Sequence, residues 1–156
     1  MHQAAPLLAS RAGAPVIEIA WMSRIDDQQL ATMTRVYARH GGLFSSDTVA
    51  RLMRQSTEQP ISRLAHWMVE RTVVQIGWRA QTLLPLFQFV PHEMTLRPQV
   101  AQIVRELSDA YDDWDVAWWF ANSNVFLDGA LPVDVLERDA QAVLNAARAD
   151  RFIAIG

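Results

Sequence analysis

The side chains that could perform chemistry in this chain are few and scattered. His2, His40, His66 and His92 stand far apart, and none lies in an H-E-x-x-H or H-x-x-x-H arrangement that would set two imidazoles on one helix face. The acidic run Asp112-Asp113-Asp115 lacks the glycine and the following glutamate of a calcium loop. It reads instead as carboxylates gathered at a helix start, where they accept from free backbone N–H groups at the positive end of the helix dipole. Cysteine is absent, which removes disulfides, thiolate catalysis and Cys-held zinc or iron–sulfur centres. No G-x-G-x-x-G, phosphate loop or G-x-S-x-G occurs. The sequence therefore assigns no catalytic residue, no metal ligand and no cofactor, and the chain reads as a non-enzyme. A small enzyme with a site assembled from distant residues remains an alternative.

What is left is the chemistry of binding. All 14 basic residues are Arg, a bias that GC-rich coding explains and that also suits bidentate phosphate contacts. The net charge of −3 conceals an asymmetry: residues 24–79 hold eight Arg against five acids, and residues 80–156 five Arg against eleven acids. A basic half followed by an acidic half suggests a partner for each; two solvated charged faces would look the same.

The elements that must position these groups follow from periodicity. Val16–Trp21 is a candidate short strand or arm. From Asp26 to His40, Leu30, Met33, Val36 and Tyr37 recur at helical spacing, and Gly41-Gly42 ends the helix. Ser45-Ser46-Asp47 offers an N-cap to a short helix with Val49, Leu52 and Met53 inward and Arg51 and Arg54 outward. After the polar turn at residues 55–59, Pro60 opens a helix in which Ile61, Leu64, Ala65 and Met68 form the inner face, leaving Ser62, Arg63, His66 and Glu70 to solvent. Two short helices joined this way make a helix-turn-helix pattern. Val73–Trp78 and Leu83–Phe89 flank Arg79-Ala80-Gln81 as a hairpin whose second strand, carrying Pro85, is expected at an edge. That hairpin would be a wing. On this reading Ser62, Arg63 and His66 face a DNA groove, while Arg51, Arg54 and Arg79 reach phosphates.

Beyond the Pro91 loop the chain is helical. Pro98 opens a helix with Val100, Ile103, Val104 and Leu107 on one face, and Asp112-Asp113 cap a Trp-rich one. Three of the six Trp fall within residues 114–119, in a helix apolar on almost every side and so suited to a core. Asn122-Ser123-Asn124 ends it, Asp128-Gly129 turns, Pro132 starts a short helix, and Asp139 caps a last one with Val143, Leu144 and Ala147.

With 156 residues, 51% hydrophobic and 20% charged, the expected fold is mostly α with a small β-hairpin (α+β). A flexible arm or short strand at 1–22 precedes a helix-turn-helix-like lobe with its wing at 23–90 and a helical lobe at 91–156. No run of 18 apolar residues exists, so no membrane partner is expected. Pro6, Arg11, Pro15 and Glu18 interrupt any signal-peptide core, and a cytoplasmic location is expected.

The stretch Trp118 to Ala147 resembles the C-terminal toxin-binding domain of the Xre/MbcA/ParS-type antitoxins, in which a "W…N…L-G-G…P-x-D-L-L…V" pattern is typical. Here it reads as Trp118-Trp119, Asn122-Ser123-Asn124, Leu127-Asp128-Gly129, Leu131-Pro132-Val133-Asp134-Val135-Leu136 and Ala142-Val143-Leu144. Leu84-Pro85-Leu86-Phe87-Gln88-Phe89 is similar to the "P-x-F-Q-F" strand of a subgroup with a degenerate helix-turn-helix. The resemblance covers residues 43–149. It departs in having Asp128 where the family pairs glycines and in a long, polar turn without glycine between the two short helices. It implies a homodimeric protein that binds and neutralises a cognate toxin, often a RES-type NAD-consuming one, and contacts double-stranded operator DNA as an autorepressor. The residues left outside the packed helices, Arg148, Arg151 and a tail from Phe152 and Ile153 to Gly156, are the expected toxin contacts, since in similar antitoxins the C-terminal region enters or covers the toxin's active site; a tail that packs on its own domain or frays is the alternative. A DNA-binding transcriptional regulator without a toxin is the nearest alternative.

Overall fold

Gly41 and Gly42, at φ +101° and +96°, end the first helix, and the Gly42 N–H closes back on the Tyr37 carbonyl at 2.9 Å. The computed structural model describes residues 16–156; the start of the expected arm, and with it His2 and the interrupted signal-peptide core, lies largely outside the described residues. Helix α1 spans Val16–Ala38, so Val16–Trp21 is helical and not a strand, and the helix begins well before Asp26. The elements then run β1 Leu43–Ser45, α2 Ser46–Met53, α3 Pro60–Val69, β2 Ile76–Trp78, β3 Gln81–Pro85, α4 Pro98–Ser108, α5 Asp113–Phe120, α6 Pro132–Val135 and α7 Ala140–Ile155. The fold is mostly helical with one small antiparallel sheet, α+β as its periodicities imply.

Local signals set most boundaries. Ser45 caps α2 by accepting from Thr48 N–H at 3.2 Å, Asp112 caps α5 through Asp115 N–H at 2.8 Å, and Asp139 caps α7 through Ala142 N–H at 3.0 Å. Pro60, Pro98 and Pro132 each begin a helix, where a missing N–H costs nothing.

The sheet departs from expectation. Its order is β1-β3-β2, so the Pro85 strand is central and not an edge, because three-residue β1 covers its far side. Leu43 pairs with Pro85 and Ser45 with Leu83, while Ile76 pairs with Leu83 on the other flank. Continuing that second register by two residues sets Pro85 opposite Val74, where proline has no N–H to give. The Gln88 side chain fills the gap: its Oε1 accepts from Val74 N–H at 2.7 Å, and its Nε2 donates to Val74 O at 2.9 Å and Pro85 O at 3.0 Å. Gln88 is fully buried, and β3 gives way to a 3-10 turn at Leu86–Gln88 instead of continuing to Phe89.

The residues beside Gln88 enter two different cores. Phe87 stacks on Tyr37 at 5.6 Å and meets Phe120 at 5.2 Å, inside the main core built from α1, the sheet and α4 to α7. Phe89 lies 6.0 Å from Trp67 in a smaller core with Val49, Met53, Leu64 and Leu84. The α3 face turned inward is thus Pro60, Leu64, Trp67 and Met68. Ile61 and Ala65, expected inside, are exposed, as is Leu52 on α2. This face packs the Trp67 ring against Phe89 and leaves Ile61 and Ala65 to solvent.

Ion pairs join the basic and acidic halves. Arg39 reaches both Asp134 oxygens at 2.9 Å, and His40 Nε2 lies 2.7 Å from Oδ1. Partial burial alone would raise the Asp134 carboxyl, but the hydrogen bonds from His40 and Arg39 outweigh it and hold the group below its usual range. Arg71 binds Asp113 at 2.9 Å and the carbonyls of Ser108 and Tyr111 at 3.1 and 2.8 Å, closing the end of α4. Part of the sequence's charge asymmetry is therefore internal complementarity.

Gln88→Ala should destabilise the fold by about 3 kcal/mol, since it leaves two buried backbone groups of Val74 without partners. Urea denaturation measures this, and a loss below about 1 kcal/mol would refute the role given to the amide.

Candidate functional site

Two surfaces gather the residues singled out above. The first lies where α2 ends and α3 begins. The turn at residues 54–59 opens a shallow groove of about 980 Å³ in which Arg54, Ser62, Arg63 and His66 share one wall system with Trp67. All four are exposed. Glu58 lines the same groove, and Glu70 lies 3.6 Å from His66, so its field is mixed and not purely cationic. Arg51 is exposed but points to its own helix, donating to Thr48 Oγ1 at 3.1 Å.

Arg79 is not brought to this groove. It occupies the hairpin tip at φ +45°, with Ala80 at +23°, and its guanidinium lies over the Trp78 ring at 5.3 Å. It lines a separate depression with Ser45, Ser46 and Asp47, at the opposite end of α2 from the turn. An eight-residue helix separates the two sites by about 12 Å along its axis. Pairing β3 with β1 ties the hairpin, and Arg79 at its tip, to the start of α2.

The second surface is the end of α7. Residues expected to form a tail, Phe152 to Ile155, continue the helix, because no breaker intervenes after Arg151 and Ala154 sustains it. Phe152 is 72%, Ile153 68% and Ile155 55% exposed. Arg148 and Arg151 are not free contacts. Arg148 Nε donates to Glu106 Oε1 at 3.0 Å, and Arg151 reaches Glu106 Oε2 at 3.2 Å and Asp109 Oδ2 at 3.1 Å. They pin the last turns of α7 to α4 and leave three apolar side chains standing beyond the pinned region.

Beneath this end sits Asp150, 2% exposed. Its Oδ2 accepts from Trp119 Nε1 at 2.7 Å and from Asn124 Nδ2 at 2.8 Å. Asn124 in turn organises the next turn: its Oδ1 accepts from Phe126 N–H at 2.9 Å and its carbonyl from Gly129 N–H at 2.9 Å. Asp128 takes the left-handed conformation at φ +56°, and Gly129 follows at +85° with open space around it. What this turn requires is positive φ, which aspartate tolerates, so the aspartate in place of a paired glycine is structurally accommodated. Burial, then the carboxylates of Asp150 and Asp115, push the Tyr111 phenol up to about 12, so it stays neutral. Burial likewise raises Tyr37, whose hydroxyl donates to Ala117 O at 2.6 Å. Trp114 and Trp119 are buried and Trp118 half-buried, which makes the Trp-rich helix core.

No family model matches the chain, and no curated protein or solved structure matches it. Among the described residues, no group of His, Asp and Glu is placed to hold a metal ion, and no helix is long and apolar enough to cross a membrane.

Glu106, Asp109 and Asp150 were not singled out in the sequence, and Asn124 was read only as part of the break after the Trp-rich helix and not as a partner of Asp150. Asn124 and Asp150 carried a signal in principle, as polar residues within otherwise apolar periodicities. The partners of Glu106 are more than 40 residues away, and nothing local reveals them. Asp150→Ala should cost about 3 kcal/mol by leaving buried Trp119 and Asn124 donors unpaired, and should lower the thermal midpoint. An unchanged midpoint would contradict the lock described here.

Proposed function

We propose that this chain is an antitoxin-type binding protein that docks on and neutralises a partner toxin through the end of α7. The observation that carries the reading is the apolar trio Phe152, Ile153 and Ile155, exposed on a helix whose preceding turn is pinned to α4. Three large apolar side chains held rigidly in water at one helix end are costly without a partner, and a preformed element binds with little ordering entropy. The resemblance of residues 43–149 to the toxin-binding domain of Xre/MbcA/ParS-type antitoxins supports the same choice. It suggests a RES-type NAD-consuming toxin, a homodimeric assembly and a cytoplasmic site of action.

Co-expressed with the product of the adjacent gene, the chain should give a complex that survives size-exclusion chromatography. The double variant Phe152→Asp with Ile153→Asp should lose it while keeping the wild-type thermal midpoint, because both side chains already face solvent. If the neighbour encodes no toxin and no complex forms, the reading fails; a complex retained by the double variant rejects the surface assigned to it.

Autoregulation through DNA is a second reading, favoured by the convergence of Arg54, Ser62, Arg63 and His66 in the α2–α3 groove. Arg54→Ala with Arg63→Ala should weaken binding to the promoter duplex and reduce the log–log salt slope by about 2, one counterion per lost phosphate contact. Binding with an unchanged slope, or no salt-sensitive binding by the wild type, would exclude it.

A further inference from the structure

A cleft of about 790 Å³ lies where the two hydrophobic cores meet, between the end of α1, the segment from Leu86 to Arg97, and α6 with the start of α7. Its volume falls within the range of about 300–1,000 Å³ common to small-molecule sites. The floor is apolar and drawn from both cores: Phe87, Val100, Val133 and Leu136 from the larger, Phe89 and Met94 from the smaller. The rim is charged, and its charges are unequally satisfied.

Arg39 and His40 are both committed to Asp134. Arg97 is not matched in this way. Its Nε is buried without a hydrogen-bond partner, and its ion pair is a long 3.8 Å contact with Glu137, whose side chain is 77% exposed. Arg138 stands on the same rim with no side-chain hydrogen bond or ion pair among the described residues. The cleft therefore combines an apolar floor, one neutralised cluster and two guanidinium groups with hydrogen-bonding capacity left over. A buried or half-buried guanidinium lacking acceptors is unfavourable, and a planar donor fork matches a carboxylate or phosphate.

We propose that this cleft binds a small amphipathic anion, an apolar body with a single carboxylate or phosphate head, the body lying over Phe87, Met94 and Leu136, which keep some surface open to the cleft, and the head held by Arg97 and Arg138. The site is separate from the α7 end and from the α2–α3 groove, and the inference stands whether or not those surfaces bind a toxin or DNA.

The test titrates the full chain with octanoate and with octyl phosphate, following backbone and arginine Nε–Hε resonances by NMR. Saturable one-site shifts should map to residues 94–100 and 133–140 with at least one anion. Arg97→Gln and Arg138→Gln should each weaken binding about tenfold, the loss of one charge-assisted hydrogen bond. Arg105→Gln, exposed on α4 and off the cleft, should leave it unchanged. Octyltrimethylammonium, with the same chain and a cationic head, should not bind. The proposal is overturned if neither anion gives saturable shifts, if the ammonium binds as tightly, or if Arg138→Gln retains wild-type affinity. Arg138 is exposed, so that variant decides even if Arg97→Gln fails to fold.

Discussion

The carboxylate of Asp150 is the point on which the C-terminal half turns. A charge 2% exposed costs several kcal/mol unless donors surround it. Among its partners are donors from two other places in the chain, the indole of Trp119 and the amide of Asn124. One side chain on α7 thereby orients the Trp-rich helix and the turn leading to α6. The path of α7 follows, and with it the position of Phe152, Ile153 and Ile155 beyond the Glu106 ion pairs.

A second constraint joins this half to the first. Pro85 stops the ladder between β2 and β3, and the amide of Gln88 takes over the pairing with Val74. Turning the chain at Leu86–Gln88 sends Phe87 into one core and Phe89 into the other. Arg39 to Asp134 and Arg71 to Asp113 close the same seam electrostatically. The cleft with Arg97 and Arg138 on its rim is what remains open where the two cores diverge.

Much of the framework was legible from sequence because it rests on local chemistry. Ser45, Asp112 and Asp139 cap their helices with their own side chains, and three prolines mark helix starts. The inner face of α3 was not legible: Ile61-Leu64-Ala65-Met68 and Pro60-Leu64-Trp67-Met68 are both helical stripes sharing two residues, and only the presence of Phe89 selects the second. Strand order depended on β1, three residues long and paired some 40 residues away. Of the candidate site residues, Arg54, Ser62, Arg63 and His66 converge as one turn of helix and an adjacent loop would suggest. Arg79 departs because its hairpin answers to β1. Arg148 and Arg151 looked available for a partner because Glu106 and Asp109 are invisible at that separation.

The proposed docking role rests on rigidity: a helix end held in place would present an apolar tip without having to order it. The most direct test is amide hydrogen exchange of the isolated chain. Amides of residues 148–155 should exchange slowly, as part of a continuous α7, and Asp150→Ala and Glu106→Gln should each accelerate them toward the rate of an unstructured peptide. Exchange of these amides in the wild type at unprotected rates would contradict the proposed role, because a frayed end could not be the preformed docking element described here.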